Sequence, residues 1–193
     1  MIKSSDRSWW FGASDTSFVV GNWRTESFKR WWQEKLGMNY GAKFSNKYTL
    51  AGTFYEHAIL DTINGVVKDK QIVIPKLRIR VNYDGMVGLS IKEVKTYRED
   101  KEFKVTKGYY RQAQVEMFAA KSTDLEIVAY PLTEEHYKNY FIPVDKSKIK
   151  TFPVDYDKGF INLEYLPKLK YLNKCLNVGA FPDMEAFNEE YKQ

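Results

Sequence analysis

An alternating run at residues 87–95 constrains this chain more than any other segment of its sequence. Side chains in a β-strand point to opposite faces with a period of two, so Leu89, Ile91, Glu93 and Lys95 share one face with Val87. That face begins apolar and ends charged. The pattern predicts a strand at residues 86–95 that lies near the centre of a sheet and carries a carboxylate and an ammonium group at one end.

Asp84 precedes this run in an Asn-Tyr-Asp-Gly sequence, which predicts a tight turn. Burying Glu93 costs free energy unless its carboxylate is paired or coordinates a cation. A second carboxylate from Asp84 would suit a hard cation such as Mg²⁺. The alternative is a solvated Glu-Lys pair at a strand end without function, and Glu-x-Lys alone does not distinguish the two.

A helix is predicted upstream at residues 48–63, because apolar residues recur there at helical intervals. Gly52 and Glu56 are four residues apart and therefore lie on one face of this helix. Gly52 would let the helix approach a strand closely, and Glu56 would then point at the side chains of that strand. The alternative is a packing glycine and a surface acid.

A second helix is predicted around residues 108–117. Tyr109 and Gln112 share one of its faces, whereas Gln114 lies about 200° round from Gln112, so the two glutamines should not enter one pocket. By itself, this segment is an ordinary amphipathic helix.

Five short motifs occur in a recognisable order along the chain. The order resembles that of the YqaJ-type viral recombinase family, which includes phage lambda exonuclease, and the resemblance covers about residues 7–130. The C-terminal third has no matching motif. The motifs are Arg-(x)₆-Ser from Arg7 to Ser14, Gly-x-x-x-Glu from Gly52 to Glu56, Asp84-Gly85, Glu93-Val94-Lys95, and Tyr-x-x-Gln-x-Gln-x-x-Met from Tyr109 to Met117.

The resemblance implies an α/β (α+β) fold with a PD-(D/E)xK restriction-endonuclease-like core, in which helices flank a mixed central sheet and the site lies at one sheet edge. Tyr83 stands before Asp84 where the namesake motif has proline. The departure is mild, since a metal needs the carboxylate and the proline only shapes the backbone. The length of 193 residues suits a single nuclease domain, 1–193.

The resemblance also implies a metal centre. Asp84 and Glu93 would hold Mg²⁺ with the Val94 carbonyl, and Glu56 would hold a second ion or its waters, so that the site takes one or two ions. Mn²⁺ could replace Mg²⁺. Lys95 would orient or deprotonate the attacking water, which requires a lowered pKa, or would only stabilise negative charge.

Arg7, Ser14 and Gln112 match residues that cradle the 5′-phosphate of a DNA end in the family, and Tyr109 joins them as a substrate-binding residue. Arginine offers a bidentate fork, and serine and glutamine offer neutral donors. Two alternatives stay open. Ser14 would cap a helix that begins at Asp15, and Arg7 would be a surface arginine.

The implied function is that of an Mg²⁺-dependent deoxyribonuclease that degrades linear double-stranded DNA from the 5′ end in phage-type recombination. Its implied partners are a DNA duplex with a 5′-phosphate, a single-strand annealing protein and two further copies of the chain in a ring-shaped trimer. The alternatives are an endonuclease with the same core and a non-catalytic DNA-binding or inhibitor protein that has kept the fold.

Composition limits the kinds of partner and of chemical site that this chain can have. A formal net charge of +5 and a pI near 9.0 favour a polyanionic partner. Cys175 is the only cysteine, which excludes disulfides, cysteine-bound zinc and iron–sulfur clusters within one chain. His57 and His136 are the only histidines, which argues against a histidine-based metal site or a Ser/His triad. No signal peptide or membrane span is predicted, and we expect the protein in the cytoplasm of a bacterial host.

The remaining elements are predicted more coarsely. Residues 1–13 are expected to form an arm, in which Trp9 or Trp10 would stack on a base at a DNA end or serve as an interface anchor. The segment 15–37 would form one or two helices with tryptophans in the core. Further predictions are loops at 37–46 and 96–107, strands at 72–74, 77–81 and 125–129, the last ended by Pro131, and helices at 162–176 and 184–191.

Overall fold

A mixed sheet of five strands lies at the centre of the computed structural model, which describes residues 7–38 and 46–191. Its strands follow one another in chain order. Neighbours are antiparallel except for the third and fourth, which are parallel. The strands are Val67–Ile74 (β1), Ile79–Val87 (β2), Ser90–Arg98 (β3), Leu125–Leu132 (β4) and Lys150–Pro153 (β5).

Helices cover both faces of this sheet. The crossover between the parallel strands β3 and β4 is a helix, as parallel neighbours require. The helices are Thr16–Val19 (α1), Glu26–Lys35 (α2), Lys47–Leu60 (α3), Lys107–Ala120 (α4), Leu166–Val178 (α5) and Met184–Tyr191 (α6); a 3₁₀ turn at Ala13–Asp15 precedes α1, and a π-helical turn at Phe160–Tyr165 leads into α5.

Two apolar clusters separate the layers. On one face, α1, α2, α4, α5 and α6 pack over the sheet, and the tryptophans predicted as core anchors are buried there. On the other face, α3 packs on Val94 and Val128 through Tyr55 and Ile59. Helices on both faces of a mixed central sheet form the predicted α/β (α+β) arrangement, so the predicted fold class is confirmed. None of the described helices is long and apolar enough to cross a bilayer.

The predicted strand at 86–95 is wrong, because two strands meet there in a hairpin. Val87 pairs with Ser90 across a two-residue turn, in which Gly88 has a φ of +60°. The turn predicted around Asp84 is also wrong, since that segment lies within β2. A Cβ on Gly85 would come within 2.7 Å of Leu60 Cδ2 and Val66 Cγ2, so Gly85 serves close packing against α3 rather than a turn.

Pro131 does not end β4, which continues to Leu132. The Leu132 carbonyl accepts a hydrogen bond from the Glu99 N–H on the β3 side, so the nitrogen of Pro131 faces the other side. The pairing with β5 covers only positions 126–129. Proline is tolerated here because its missing N–H interrupts no ladder bond.

Two further expectations need correction. The loop predicted at 96–107 is shorter, because β3 continues to Arg98. Within this loop, the ring of Phe103 packs against that of Tyr109, with the centroids 6.1 Å apart. The predicted N-terminal arm is attached to the sheet at Phe11, which is buried and bridges to Ile79 of β2; its first six residues lie outside the described part of the chain. Most of the loop predicted at 37–46 lies outside the described residues.

Candidate active site

The predicted acidic residues meet where β2 and β3 separate. These strands pair only from Gly85 opposite Lys92 to the hairpin turn. Beyond that point, Asp84 Oδ2 accepts a hydrogen bond of 2.8 Å from the Val94 N–H. The expected position at a sheet edge is wrong, because β1 and β4 flank the two strands and place this fork inside the sheet.

Glu93 is the buried centre of the site, with 4% of its surface exposed. Its Oε1 accepts hydrogen bonds from Gln112 Nε2 at 2.6 Å and from the Lys95 ammonium. Glu93 and Lys95 can pair because residues two apart on a strand share a face. The buried carboxylate is thus compensated by a cation and an amide.

Lys95 is held tightly as a cation. Its Nζ lies 5.2 Å from the centroid of the Tyr109 ring on α4. Burial lowers the pKa of Lys95, but the charge and hydrogen bond of Glu93, with the charge of Asp84, outweigh burial and raise the pKa above its ordinary value. In this geometry Lys95 lacks the lowered pKa that a general base needs, which favours a charge-stabilising role.

Glu56 reaches the same region from the opposite face of the sheet. A Cβ on Gly52 would lie 3.2 Å from Thr96 Oγ1, so α3 approaches β3 as closely as the sequence predicts. Burial, and then the charge of Glu93, raise the pKa of Glu56. Burial raises the pKa of Asp84 well above its ordinary value, and the charges of Glu93 and Glu56 add to this. Three carboxyl groups that repel one another in a partly buried space fit a divalent cation, which would neutralise them.

A second group of possible metal ligands shares Glu56. The ligand atoms of Glu56, His57 and Asp69 lie within 4.8 Å of one another, and His57 Nε2 is 3.3 Å from the Asp69 carboxylate. The small number of histidines argued against a histidine-based metal site, whereas His57 lies here beside two carboxylates. Asp69 comes from β1 and has no local signal that links it to α3, so sequence reasoning missed this group.

Glu116 on α4 is a site residue that sequence analysis missed. It is fully buried, and its Oε1 accepts a hydrogen bond of 2.8 Å from Gln112 Nε2. Its Oε2 has no hydrogen-bond partner among the described residues. Burial and the charge of Glu93 raise its pKa well above the ordinary value. The four-residue spacing from Gln112 was the available signal, since it places both residues on one helix face.

Glu116→Gln is expected to reduce the loss of stability with rising pH. A carboxyl whose pKa is raised by folding stabilises the protein at low pH, and this contribution is lost as the pH rises through the folded-state pKa. Glutamine does not titrate, so the melting temperature of the variant minus that of wild type should increase from pH 5 to pH 8. Each kcal/mol of unfolding free energy that wild type loses over this range should add about 2–4 °C to the difference. Thermal unfolding in a chelator measures this; parallel curves for the two proteins would contradict it.

The predicted phosphate-binding residues fall into two places. Arg7 Nη1 donates to Ser14 Oγ at 3.5 Å, and both side chains are exposed. Gln112 instead bridges Glu93 and Glu116. The 3₁₀ turn that contains Ser14 packs against α4, the helix that carries Gln112, and so connects the two places.

Two expectations about individual side chains have clear outcomes. The helix cap predicted for Ser14 is wrong, because Ser14 lies inside the 3₁₀ turn and α1 begins at Thr16 without a side-chain cap. The separation of the two glutamines is confirmed, since Gln114 donates to the Asp155 carbonyl at 2.8 Å, away from Gln112.

Searches against known proteins locate this fold among exonucleases. No protein-family model and no curated sequence matches the chain. An alkaline exonuclease (LHK-Exo) from Laribacter hongkongensis superposes with a TM-score of 0.67 over 96% of this chain and 95% of its own, at 19% identity. A phage-related exonuclease from Haemophilus somnus 129PT gives a TM-score of 0.58 over 89% of this chain and 96% of its own, at 16% identity.

The chain shares the fold of these exonucleases. The resemblance drawn from the sequence motifs is thereby confirmed for the fold. LHK-Exo has also been solved in complex with dAMP, and that structure superposes with a TM-score of 0.64 over 96% of this chain and 95% of its own, at 17% identity.

Proposed function

We propose that the chain is a metal-dependent deoxyribonuclease that degrades linear double-stranded DNA from the 5′ end. One observation carries the proposal: Asp84, Glu93 and Lys95 converge at the β2–β3 fork, with Glu56 facing them from α3. The exonuclease fold supports it. A deoxynucleoside monophosphate such as dAMP is the product class of exonucleolytic cleavage, so the LHK-Exo complex supports the same reaction class.

The acidic residues of the fork would hold the cation. Asp84 and Glu93 offer carboxylate oxygens beside the Val94 carbonyl, and Glu56 offers a further one, a set that suits Mg²⁺ and also Mn²⁺. When bound, the cation supplies a polarised water and charge stabilisation at the phosphate. Burial and the charges of neighbouring carboxylates raise the pKa values of Asp84 and Glu56 even with Lys95 nearby. A set of carboxylate oxygens held close together in this way supports the binding of a divalent ion.

The side chains around the fork would orient the reacting groups. Lys95 places a fixed positive charge next to Glu93, where it stabilises the negative charge that develops on the phosphate. The ring of Tyr109 restricts the position of the Lys95 ammonium. Gln112 holds Glu93 in place and keeps its carboxylate directed into the fork.

Arg7 and Ser14 are proposed to bind the terminal 5′-phosphate. Their side chains are exposed and already in contact, and a guanidinium with a neighbouring hydroxyl is a donor set that matches a phosphate dianion. The turn that carries Ser14 packs on the same helix as Gln112 and Tyr109, which supports a phosphate site close to the fork. The net charge of +5 favours the approach of DNA.

Digestion of matched linear and circular DNA tests the proposal. With Mg²⁺ present, linear duplex carrying 5′-phosphates should be degraded to mononucleotides while covalently closed circles of the same sequence survive. End-labelled substrates give the polarity, since a label at the 5′ terminus should be released first. A chelator should stop the reaction.

Other results would favour the alternatives. Cleavage of closed circles would show an endonuclease that uses the same site. Intact linear and circular DNA, together with retained DNA binding, would show a non-catalytic binding or inhibitor protein.

The wider setting of the proposal rests on the sequence alone. It comprises a single nuclease domain over 1–193, cytoplasmic location in a bacterial host, a single-strand annealing partner and a ring-shaped trimer. Light scattering coupled to size-exclusion chromatography tests the assembly, for which a mass about three times the 22.7 kDa of one chain is expected.

A further inference from the structure

A lysine at the end of α2 makes contacts outside the site already described. Lys35 is 2% exposed, and its ammonium donates to Asp15 Oδ2 at 2.7 Å, to the Trp10 carbonyl at 2.7 Å and to the Arg7 carbonyl at 3.3 Å. An ammonium group has three N–H donors, so every one of them is used. Two of the three hold the main chain of the segment that carries Arg7.

Asp15 extends this network to the other end of the same segment. Its Oδ2 also accepts a hydrogen bond from the Gly12 N–H at 2.8 Å, and its Oδ1 accepts from Trp31 Nε1 at 2.9 Å. The Lys35 carbonyl accepts from the Trp9 N–H at 3.0 Å. The stretch from residue 7 to the 3₁₀ turn with Ser14 is therefore attached to α2 at several points, by the buried Lys35–Asp15 ion pair, by the Lys35 carbonyl and by Trp31.

Stability alone is a weak reason for an ion pair in this position. Apolar residues of similar volume often stabilise a core as well as a buried pair does, because removing two charges from water is costly. The neighbouring residues of α2 are the large aromatics Phe28, Trp31 and Trp32. What apolar groups could not provide is a donor for the carbonyls of Trp10 and Arg7, which lie outside regular secondary structure.

We propose that Lys35, together with Asp15, is a positioning residue that fixes the backbone of Arg7 so that its guanidinium meets Ser14 where a terminal phosphate binds. The inference rests on the proposed function, because it assumes that Arg7 and Ser14 bind the 5′-phosphate; we call this pair the phosphate anchor. Fixing the backbone of Arg7 before DNA binds lowers the entropic cost of ordering its exposed side chain. Loss of Lys35 should therefore weaken recognition of the phosphate without touching the hydrolytic residues.

The experiment compares linear duplexes that end in a 5′-phosphate or a 5′-hydroxyl. Lys35→Met alone leaves Asp15 buried and unpaired, so the Asp15→Asn/Lys35→Met double variant, which removes both charges at similar volume, is the main test. Wild type should prefer the phosphorylated end. Arg7→Ala and the double variant should each lower this preference about 10–100-fold, through KM. Lys168→Met is a matched control, since Lys168 donates to the Val20 carbonyl elsewhere in the fold at 2.9 Å.

The outcomes separate the inference from the proposed function. A wild-type protein that degrades linear DNA without distinguishing the two ends would overturn both the phosphate anchor and the role of Lys35. Loss of the preference in Arg7→Ala, but full preference in a double variant with a cooperative melting transition, would overturn the role of Lys35 alone. Loss of preference in Lys168→Met as well would show a general structural effect and would also overturn it.

Discussion

Glu93→Gln is expected to lower the initial rate on linear duplex DNA by about 10²–10³-fold or more. The substitution keeps the shape of the side chain but removes the charge that pairs with Lys95 and that faces Asp84 across the fork. It also removes a proposed cation ligand, so the loss combines two effects. Release of mononucleotides from 5′-phosphorylated duplex at saturating Mg²⁺ measures it.

Glu126→Gln provides a matched control on the neighbouring strand. Glu126 accepts from Lys92 Nζ at 2.6 Å, so a Lys–Glu pair joins β3 and β4 outside the fork. This variant should hydrolyse DNA at close to the wild-type rate. A folded Glu93→Gln protein with wild-type activity would rule out the proposed catalytic role of the fork.

Divalent cations are expected to stabilise the protein, by an amount that grows as the pH rises from 5 to 8. The pKa values of Asp84, Glu56 and Glu116 are raised, first by burial and then by the charge of Glu93. For such acids the folded state binds more protons than the unfolded state, so stability is present below the unfolded-state pKa of about 4 and is lost as the pH rises through the folded-state values. A bound cation would pair with the ionised carboxylates and oppose this loss.

The size of the effect follows from linkage. A cation at 100 times its Kd adds about 2.7 kcal/mol to the free energy of unfolding, and each kcal/mol raises the melting temperature of a chain of this length by about 2–4 °C. Thermal unfolding with EDTA, Mg²⁺ or Mn²⁺ at several pH values measures it. In EDTA, the melting temperature should fall as the pH rises.

The Asp84→Asn/Glu93→Gln double variant identifies where the cation acts. It should respond little to Mg²⁺, because the fork then lacks two of its charged ligands. An unchanged response would contradict a site at the fork. His57→Ala tests the second ligand group, and a response lost only in that variant would move the cation to Glu56, His57 and Asp69.

The two glycines near the hairpin show where local sequence signals become ambiguous. Gly85 follows a turn-like Asn-Tyr-Asp sequence, whereas Gly88 follows the strand-like Met86-Val87, and the predicted strand ran across Gly88 without interruption. Gly88 forms the turn, and Gly85 stays in a strand because Leu60 and Val66 occupy the space where its side chain would be. The neighbours that decide between the two lie some 20 residues away in the chain, so no local rule distinguishes them.

Sequence periodicity was sufficient to predict which residues share a local face and what chemistry they offer: Glu93 with Lys95 on a strand, Gly52 with Glu56 on a helix, and Gln112 apart from Gln114. Those predictions depend only on backbone periodicity, which acts over a few residues. The folded chain was needed to show that the acids meet at a fork inside the sheet, that Gln112 links Glu93 to Glu116, and that Lys35 holds the segment of Arg7. These contacts join elements far apart in the chain, and they form because strand pairing and core packing bring the elements together, which leaves no periodic signature in the sequence.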